Sequence, residues 1–333
     1  MKIAVYGLGA IGGLLAARLA ASGHEVSAVA RGATLKAVQE RGLRLIDGTN
    51  DRRESVHRIH VTDSPESIGP QDVVIVSVKT TALPDIAPRV APLMGPDTTV
   101  FSAMNGVPWW FFYGHRTGQN IRLNTVDPNG AITAAIPPES VVGSVTHLSA
   151  ATPEPGTVLH VAGNLIMVGE PTGGTATPRA QAIVGALRDA RFDIQEVDSI
   201  QTEIWYKLWG NMTMNPVSAI TGATVDKALD DPYVRAFMSR CMLEAAEVGK
   251  RIGIPIDADP EDRHAVTRKL GAFRTSMLQD VEAGRPVELD ALVAAVIEIG
   301  QQVGVEMPNI ESLFGLARLY AQLRGLYPAP WNA

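Results

Sequence analysis

The chain has 333 residues, 46% of them hydrophobic and 19% charged, with Gly and Pro spread along it rather than concentrated. Such a length exceeds one ordinary compact domain and such a composition builds packed cores, which excludes a disordered chain and favours two domains. A formal net charge of -6 and a pI near 5.7 exclude a broad basic face for nucleic acid or anionic membrane, leaving a small-molecule substrate as the expected partner.

The chain opens directly on a strand pattern, Lys2-Ile3-Ala4-Val5-Tyr6, without a basic leader, and no run approaches ~18 apolar residues, so a cytoplasmic location is expected. Cys241 is the only cysteine and reads as an inert core residue, with no disulfide and no thiol metal site. His57 and His60 are the closest histidine pair; further ligand types at useful spacing are lacking, so no metal is expected.

In chain order, residues 2–6 read as strand, 11–22 as helix, and 25–30, 73–78 and 99–104 as strands, with others implied between them. This is the βαβ alternation of a mostly parallel sheet. Strands then follow one another at 141–148, 157–161 and 165–168, broken at Pro153-Glu154-Pro155-Gly156 and Gly163-Asn164, and read as antiparallel additions to that sheet. A helix at 178–190 and a last strand at 193–197 complete the half. Beyond Ser199 only helical patterns appear, at 202–220, 233–252, 261–283, 289–303 and 310–324, with breakers at Gly222, Gly253-Ile254-Pro255, Gly284-Arg285-Pro286 and Met307-Pro308. The expected fold is α/β: a doubly wound sheet with added antiparallel strands over 1–198, then an all-helical substrate or catalytic domain over 199–333. Several apolar helices there leave room for a homodimer interface.

Gly7-Leu8-Gly9-Ala10-Ile11-Gly12 follows the first strand and opens the first helix. Glycines there permit a tight turn and close approach to a pyrophosphate, which the N–H groups at the helix start would face. This strand–glycines–helix context is the signature of a Rossmann-type dinucleotide site. An NAD-specific site places a carboxylate at the end of the second strand; here that end reads Val29-Ala30-Arg31-Gly32. Arg31 is either a guanidinium for a 2′-phosphate, which favours NADP(H), or a solvated surface arginine. Lys79 and Asn105 sit where the strands at 73–78 and 99–104 stop, toward the crevice where such sheets bind ligands. Their plainer readings are a surface lysine and an Asn-Gly turn.

Lys207, Asn211 and Asn215 stand at i, i+4 and i+8 among Leu208, Trp209, Met212 and Met214, a polar stripe within apolar surroundings. It reads as a buried functional surface, or as amides bridging neighbouring helices. Ser276 and Asp280 repeat the i, i+4 spacing, and Glu288 and Asp290 follow. Asp280 and Asp290 also read as structural acids, on a helix face and at a helix N-cap.

Taken together, the glycine motif, Arg31, Val78-Lys79-Thr80, Asn105-Gly106, Lys207-Leu208 with Asn211 and Asn215-Pro216, and Thr275-Ser276-Met277-Leu278-Gln279-Asp280 with Glu288 and Asp290 resemble the ketopantoate reductase family, end to end. The resemblance implies NADPH-dependent reduction of a 2-oxo acid, with ketopantoate going to pantoate in pantothenate synthesis, and a helical domain similar to that of 6-phosphogluconate dehydrogenase. It implies Lys207 as catalytic acid and Glu288 as its ordering partner. It implies Asn211 and Ser276 as hydrogen-bonding groups for the substrate's hydroxyl and carboxylate, with Asn215 also on the substrate, and Lys79 and Asn105 as lining of the cofactor and active-site crevice.

Phe273 departs from the family pattern, where an asparagine helps hold substrate. The segment Val107-Pro108-Trp109-Trp110-Phe111-Phe112-Tyr113 is also distinctive, reading either as a wall of a larger acid pocket or as a lid or dimer-contact patch. Three alternatives therefore stand beside ketopantoate: a bulkier 2-oxo acid, a hydroxyacid dehydrogenase working oxidatively, and a non-catalytic NADP(H) sensor.

Overall fold

The computed structural model describes residues 1–49, 51–118 and 121–329. It forms two compact units that are not contiguous in sequence. The first comprises Met1–Met104 and Asn129–Glu203, the second Asn105–Pro128 and Ile204–Ala333.

The first unit holds strands β1 (Lys2–Tyr6), β2 (Glu25–Val29), β3 (Leu43–Asp47), β4 (Arg53–His57), β5 (His60–Thr62), β6 (Val73–Val76), β7 (Thr99–Ser102), β8 (Val141–Glu154), β9 (Thr157–Gly169) and β10 (Asp193–Glu196). Its helices are α1 (Ala10–Ala21), α2 (Gly32–Arg41), α3 (Leu83–Ile86), α4 (Ala131–Ala135) and α5 (Pro178–Asp189). Six strands in the order β5-β2-β1-β6-β7-β8 pair in parallel, a doubly wound arrangement whose strand order reverses between β1 and β6. β9 returns antiparallel to β8; β3 and β10 then pair in parallel with its two halves, and β4 closes the edge. This is the α/β sheet with antiparallel additions expected from the strand patterns.

The β-branched run of β6 is buried along its whole length, as a central parallel strand covered on both faces requires. Against the sheet lies one apolar core that joins Ile3, Val5, Ile75, Phe101 and Val168 to Leu15 of α1 and to Val184 and Leu187 of α5. α5 is fastened by charge as well: buried Glu170 accepts from Arg179 Nε at 2.9 Å and Nη2 at 2.5 Å.

Local differences from the sequence reading have local causes. β6 ends at Val76 and β7 at Ser102, not at 78 and 104, because Ser77 turns to donate its hydroxyl to Gly7 O at 2.9 Å and Ala103 N–H makes the last bond to Val76 O. The segments 157–161 and 165–168 form a single strand; Gly163, at φ +70, absorbs the irregularity between β8 and β9 instead of breaking it.

The second unit is built on α6 (Ile200–Thr221), whose first turn contains the division, with α7 (Val225–Asp230), α8 (Pro232–Arg251), α9 (Pro260–Arg268), α10 (Ser276–Glu282), α11 (Ala295–Val303) and α12 (Pro308–Gln322). The 261–283 pattern splits into α9 and α10 around Gly271, which sits at φ +63. The 289–303 pattern begins as a π-helical turn over Asp290–Ala294. Trp205, Leu208, Trp209 and Met212 of α6 and Met238, Cys241 and Met242 of α8 are buried, and Trp209 Nε1 donates to Met242 O at 2.7 Å. Burial pushes the Cys241 thiol up to about 12, so it stays protonated and unreactive. Among the described residues no helix is long and apolar enough to cross a membrane.

Candidate active site

In the first unit β1 delivers the chain to Gly7, and each glycine of the motif answers a different demand. Gly7 sits at φ +100, where a side chain is strained, and a methyl there would stand 2.8 Å from Val78 Cγ1. Gly12 has no room for a methyl, which would collide with the Gly7 carbonyl and Ser77 Oγ. Gly9 differs: a methyl there meets nothing within 4 Å, so protein packing does not account for it. It is the N-cap of α1, with no side chain capping the N–H groups behind it. Open space in front of uncapped helix N–H groups fits the close approach of a pyrophosphate.

Arg31 is exposed and occupies the N-cap of α2, and its side chain makes no hydrogen bond or ion pair among the described residues. Lys79 is half-buried, three residues beyond β6, and caps the single turn Thr80–Ala82. Ser77, which ties β6 to the glycine loop, was not legible as a site residue; its only sequence signal is a polar residue ending an apolar run.

In the second unit the polar stripe of α6 meets the Asn-Gly turn. Gly106 sits at φ +81, where a methyl would stand 2.6 Å from Ala291 O, and Val107 N–H donates to that same carbonyl at 2.9 Å. The turn is thereby pinned to the π-helical segment, and Asn105 is both a turn residue and a partner of α6: Lys207 Nζ donates to its Oδ1 at 2.8 Å. Burial, with Arg263 adding repulsion, lowers the Lys207 ammonium to about 8.

Asn211 is half-buried and Asn215 buried, while Ser276 is exposed at the start of α10, where Thr275 accepts from Leu278 N–H as the cap. The side chains of Asn211, Asn215 and Ser276 make no hydrogen bonds among the described residues. Glu288 is half-buried in the loop before the π-helical turn. Asp280 accepts from Arg285 Nε at 3.0 Å. Asp290 does not cap a helix: it is the first residue of the π-helical turn, and its Oδ1 accepts from the Tyr327 hydroxyl at 2.5 Å.

The aromatic segment corrects another expectation. Trp109, Trp110, Phe111 and Phe112 are buried, with the Phe111 and Trp205 ring centroids 6.0 Å apart, so they form the core of this unit and not an exposed lid or dimer patch. Tyr113 alone among them is exposed. Arg263 on α9 was missed altogether, because Pro-Glu-Asp-Arg-His-Ala-Val-Thr-Arg reads as a solvated helix face.

The model of the family described as "Ketopantoate reductase PanE/ApbA" matches residues 3–109, and that of its C-terminal part residues 199–321. A 2-dehydropantoate 2-reductase of Mesorhizobium japonicum is 41% identical over 329 residues, covering 98% of this chain and all of that protein. A crystal structure assigned to a ketopantoate reductase of Ralstonia solanacearum superposes with a TM-score of 0.93 at 52% identity, covering 98% of this chain and 99% of that one. A D-mandelate dehydrogenase solved with NADH and anilino(oxo)acetate shares the fold, with a TM-score of 0.83 at 20% identity over 98% of this chain and 100% of its own.

Proposed function

The chain belongs to the ketopantoate reductase family and is an oxidoreductase that uses a nicotinamide cofactor, and from that premise we propose that it reduces 2-dehydropantoate (ketopantoate) to pantoate with NADPH. The observation that carries the proposal is the Lys207–Asn105 pair: an ammonium lowered to about 8 and held by an amide oxygen. A group titrating near neutrality is well matched to giving a proton to a developing alkoxide.

The cofactor fits the first unit. The open approach at Gly9 and the uncapped start of α1 would take the pyrophosphate, and Arg31, whose guanidinium has no partner among the described residues, would take a 2′-phosphate. Lys79 is assigned to the same cofactor site. Bound there, NADPH supplies a hydride. The remaining chemistry falls to the second unit. Lys207 donates the proton to the keto oxygen and is kept oriented by Asn105, with Glu288 assigned to ordering the lysine. Asn211, Asn215 and Ser276, whose side chains have no hydrogen-bond partners among the described residues, are the hydrogen-bonding groups for substrate oxygens. The fit of two free amides and a hydroxyl to a small, oxygen-rich acid supports ketopantoate over an apolar substrate.

The test is NADPH oxidation by the purified protein with ketopantoate, with the product identified by mass spectrometry. Ketopantoate-dependent formation of pantoate supports the proposal; turnover confined to other 2-oxo acids, or none with NADPH bound, counts against it.

A further inference from the structure

The loop that carries Glu288 is held by the segment that follows α12. Glu288 lies outside regular secondary structure, between buried Val287 and buried Leu289 and just ahead of the π-helical turn. On one side of it Val287 N–H donates to Leu326 O at 3.1 Å, and on the other the Tyr327 hydroxyl donates to Asp290 Oδ1 at 2.5 Å. Two adjacent residues thus fasten the chain one position before Glu288 and two positions after it. At the next residue Ala291 O takes Val107 N–H and so fixes the turn that presents Asn105. The bonds at Val287 and Ala291 are made by backbone; the bond at Asp290 joins two side chains.

The way α12 ends brings Tyr327 to this place. Gly325, at φ +67, donates its N–H to Gln322 O at 3.0 Å, and Leu326 N–H donates to Ala321 O at 2.9 Å, the paired bonds of a helix closed by a left-handed glycine. The reversal buries Leu326 and sets Tyr327 against the π-helical turn, while Gln322 Nε2 donates to Pro328 O at 2.8 Å and fixes the chain beyond the tyrosine. Burial and the Asp290 carboxylate push the Tyr327 phenol up, so it remains a donor. Burial also raises the Asp290 carboxyl, and a hydrogen bond to a desolvated acid holds more firmly than one at the surface.

We propose that Tyr327 is a positioning residue, its bond to Asp290 holding the Glu288 carboxylate where it orders Lys207. The proposal rests on the ordering role assigned to Glu288 above. An acid on an irregular loop loses its setting when one of the anchors beside it is released, and a displacement of about 1 Å at a reacting group costs up to about 100-fold in rate. Because Tyr327 acts through Glu288, its effect must vanish when Glu288 can no longer order the lysine.

The test measures kcat, KM and their pH dependence with ketopantoate, or the best substrate from a panel of 2-oxo acids, for wild type, Glu288→Gln, Tyr327→Phe and the double variant. Tyr327→Phe is expected to lower kcat by roughly 5- to 30-fold with KM changed less than about threefold. It is also expected to move the basic limb of the pH profile to lower pH, because a displaced carboxylate no longer favours the ammonium. In the Glu288→Gln background the same substitution is expected to cost less than about twofold in kcat. Asp290→Ala breaks the same bond from its other end and takes the place of Tyr327→Phe if that variant does not fold. Equal losses in the two backgrounds, or no loss of kcat beside native Glu288, overturn the role of Tyr327 while leaving that of Glu288 standing. If wild type turns over no 2-oxo acid, or Glu288→Gln leaves kcat unchanged, the underlying reading fails and the positioning role falls with it.

Discussion

Lys207 Nζ donates to Asn105 Oδ1 at 2.8 Å, joining residues 102 positions apart in sequence. The acceptor favours the charged amine and fixes the direction of its remaining protons. Asn105→Ala is therefore expected to lower kcat by about 10- to 100-fold and to move the basic limb of the pH profile to lower pH. An unchanged pH profile would separate Asn105 from the lysine.

The sign of the pH dependence follows from Lys207 acting as an acid. Burial lowers the ammonium to about 8, so the donating form is full below that value and is lost as pH rises through it. kcat/KM should be flat toward neutrality and fall about tenfold per pH unit well above 8. Steady-state rates across the alkaline range check this; activity rising through that range would contradict it.

Arg31 is exposed and carries no partner among the described residues, so its removal leaves none of them unpaired. Arg31→Ala should leave thermal stability unchanged within about 0.5 kcal/mol. It should weaken NADPH by roughly 10- to 100-fold and NADH far less, which binding titrations with the two cofactors would show.

Two glycines of one motif should fail in different ways. Gly12→Ala drives a methyl into the Gly7 carbonyl, a backbone atom that cannot swing aside, and is expected to cost at least about 1–3 kcal/mol of stability. Gly9→Ala meets open space and should fold normally, yet bind NADPH more weakly because the methyl stands where the pyrophosphate approaches. Denaturant melts paired with cofactor titrations distinguish the two.

Much of this was legible because its signals are local. Gly7-x-Gly9-x-x-Gly12 lies within six consecutive residues from the end of β1 into the start of α1, and the Val73–Val76 run announces its own burial. β3, β4 and β5 were not individually legible: β4 is a mostly exposed edge strand and β5 has three residues, so neither carries a strong apolar alternation. The stripe of Lys207, Asn211 and Asn215 could be read from helical spacing. Its pairing with Asn105 could not, because periodicity says nothing about which distant loop a helix face meets. Arg263 was hidden for the same reason: only the absence of a side chain at Gly210, on another helix, reveals why it is buried. The aromatic segment misled because hydrophobicity alone does not separate a core from a docking surface.

The most direct test of the account is Lys207→Ala, assayed for ketopantoate-dependent NADPH oxidation beside wild type, with NADPH affinity measured on both. The account predicts pantoate formation by wild type, a loss of about 100- to 10,000-fold in kcat for the variant, and unchanged NADPH binding. A variant that still turns over ketopantoate within about fivefold of wild type would contradict it.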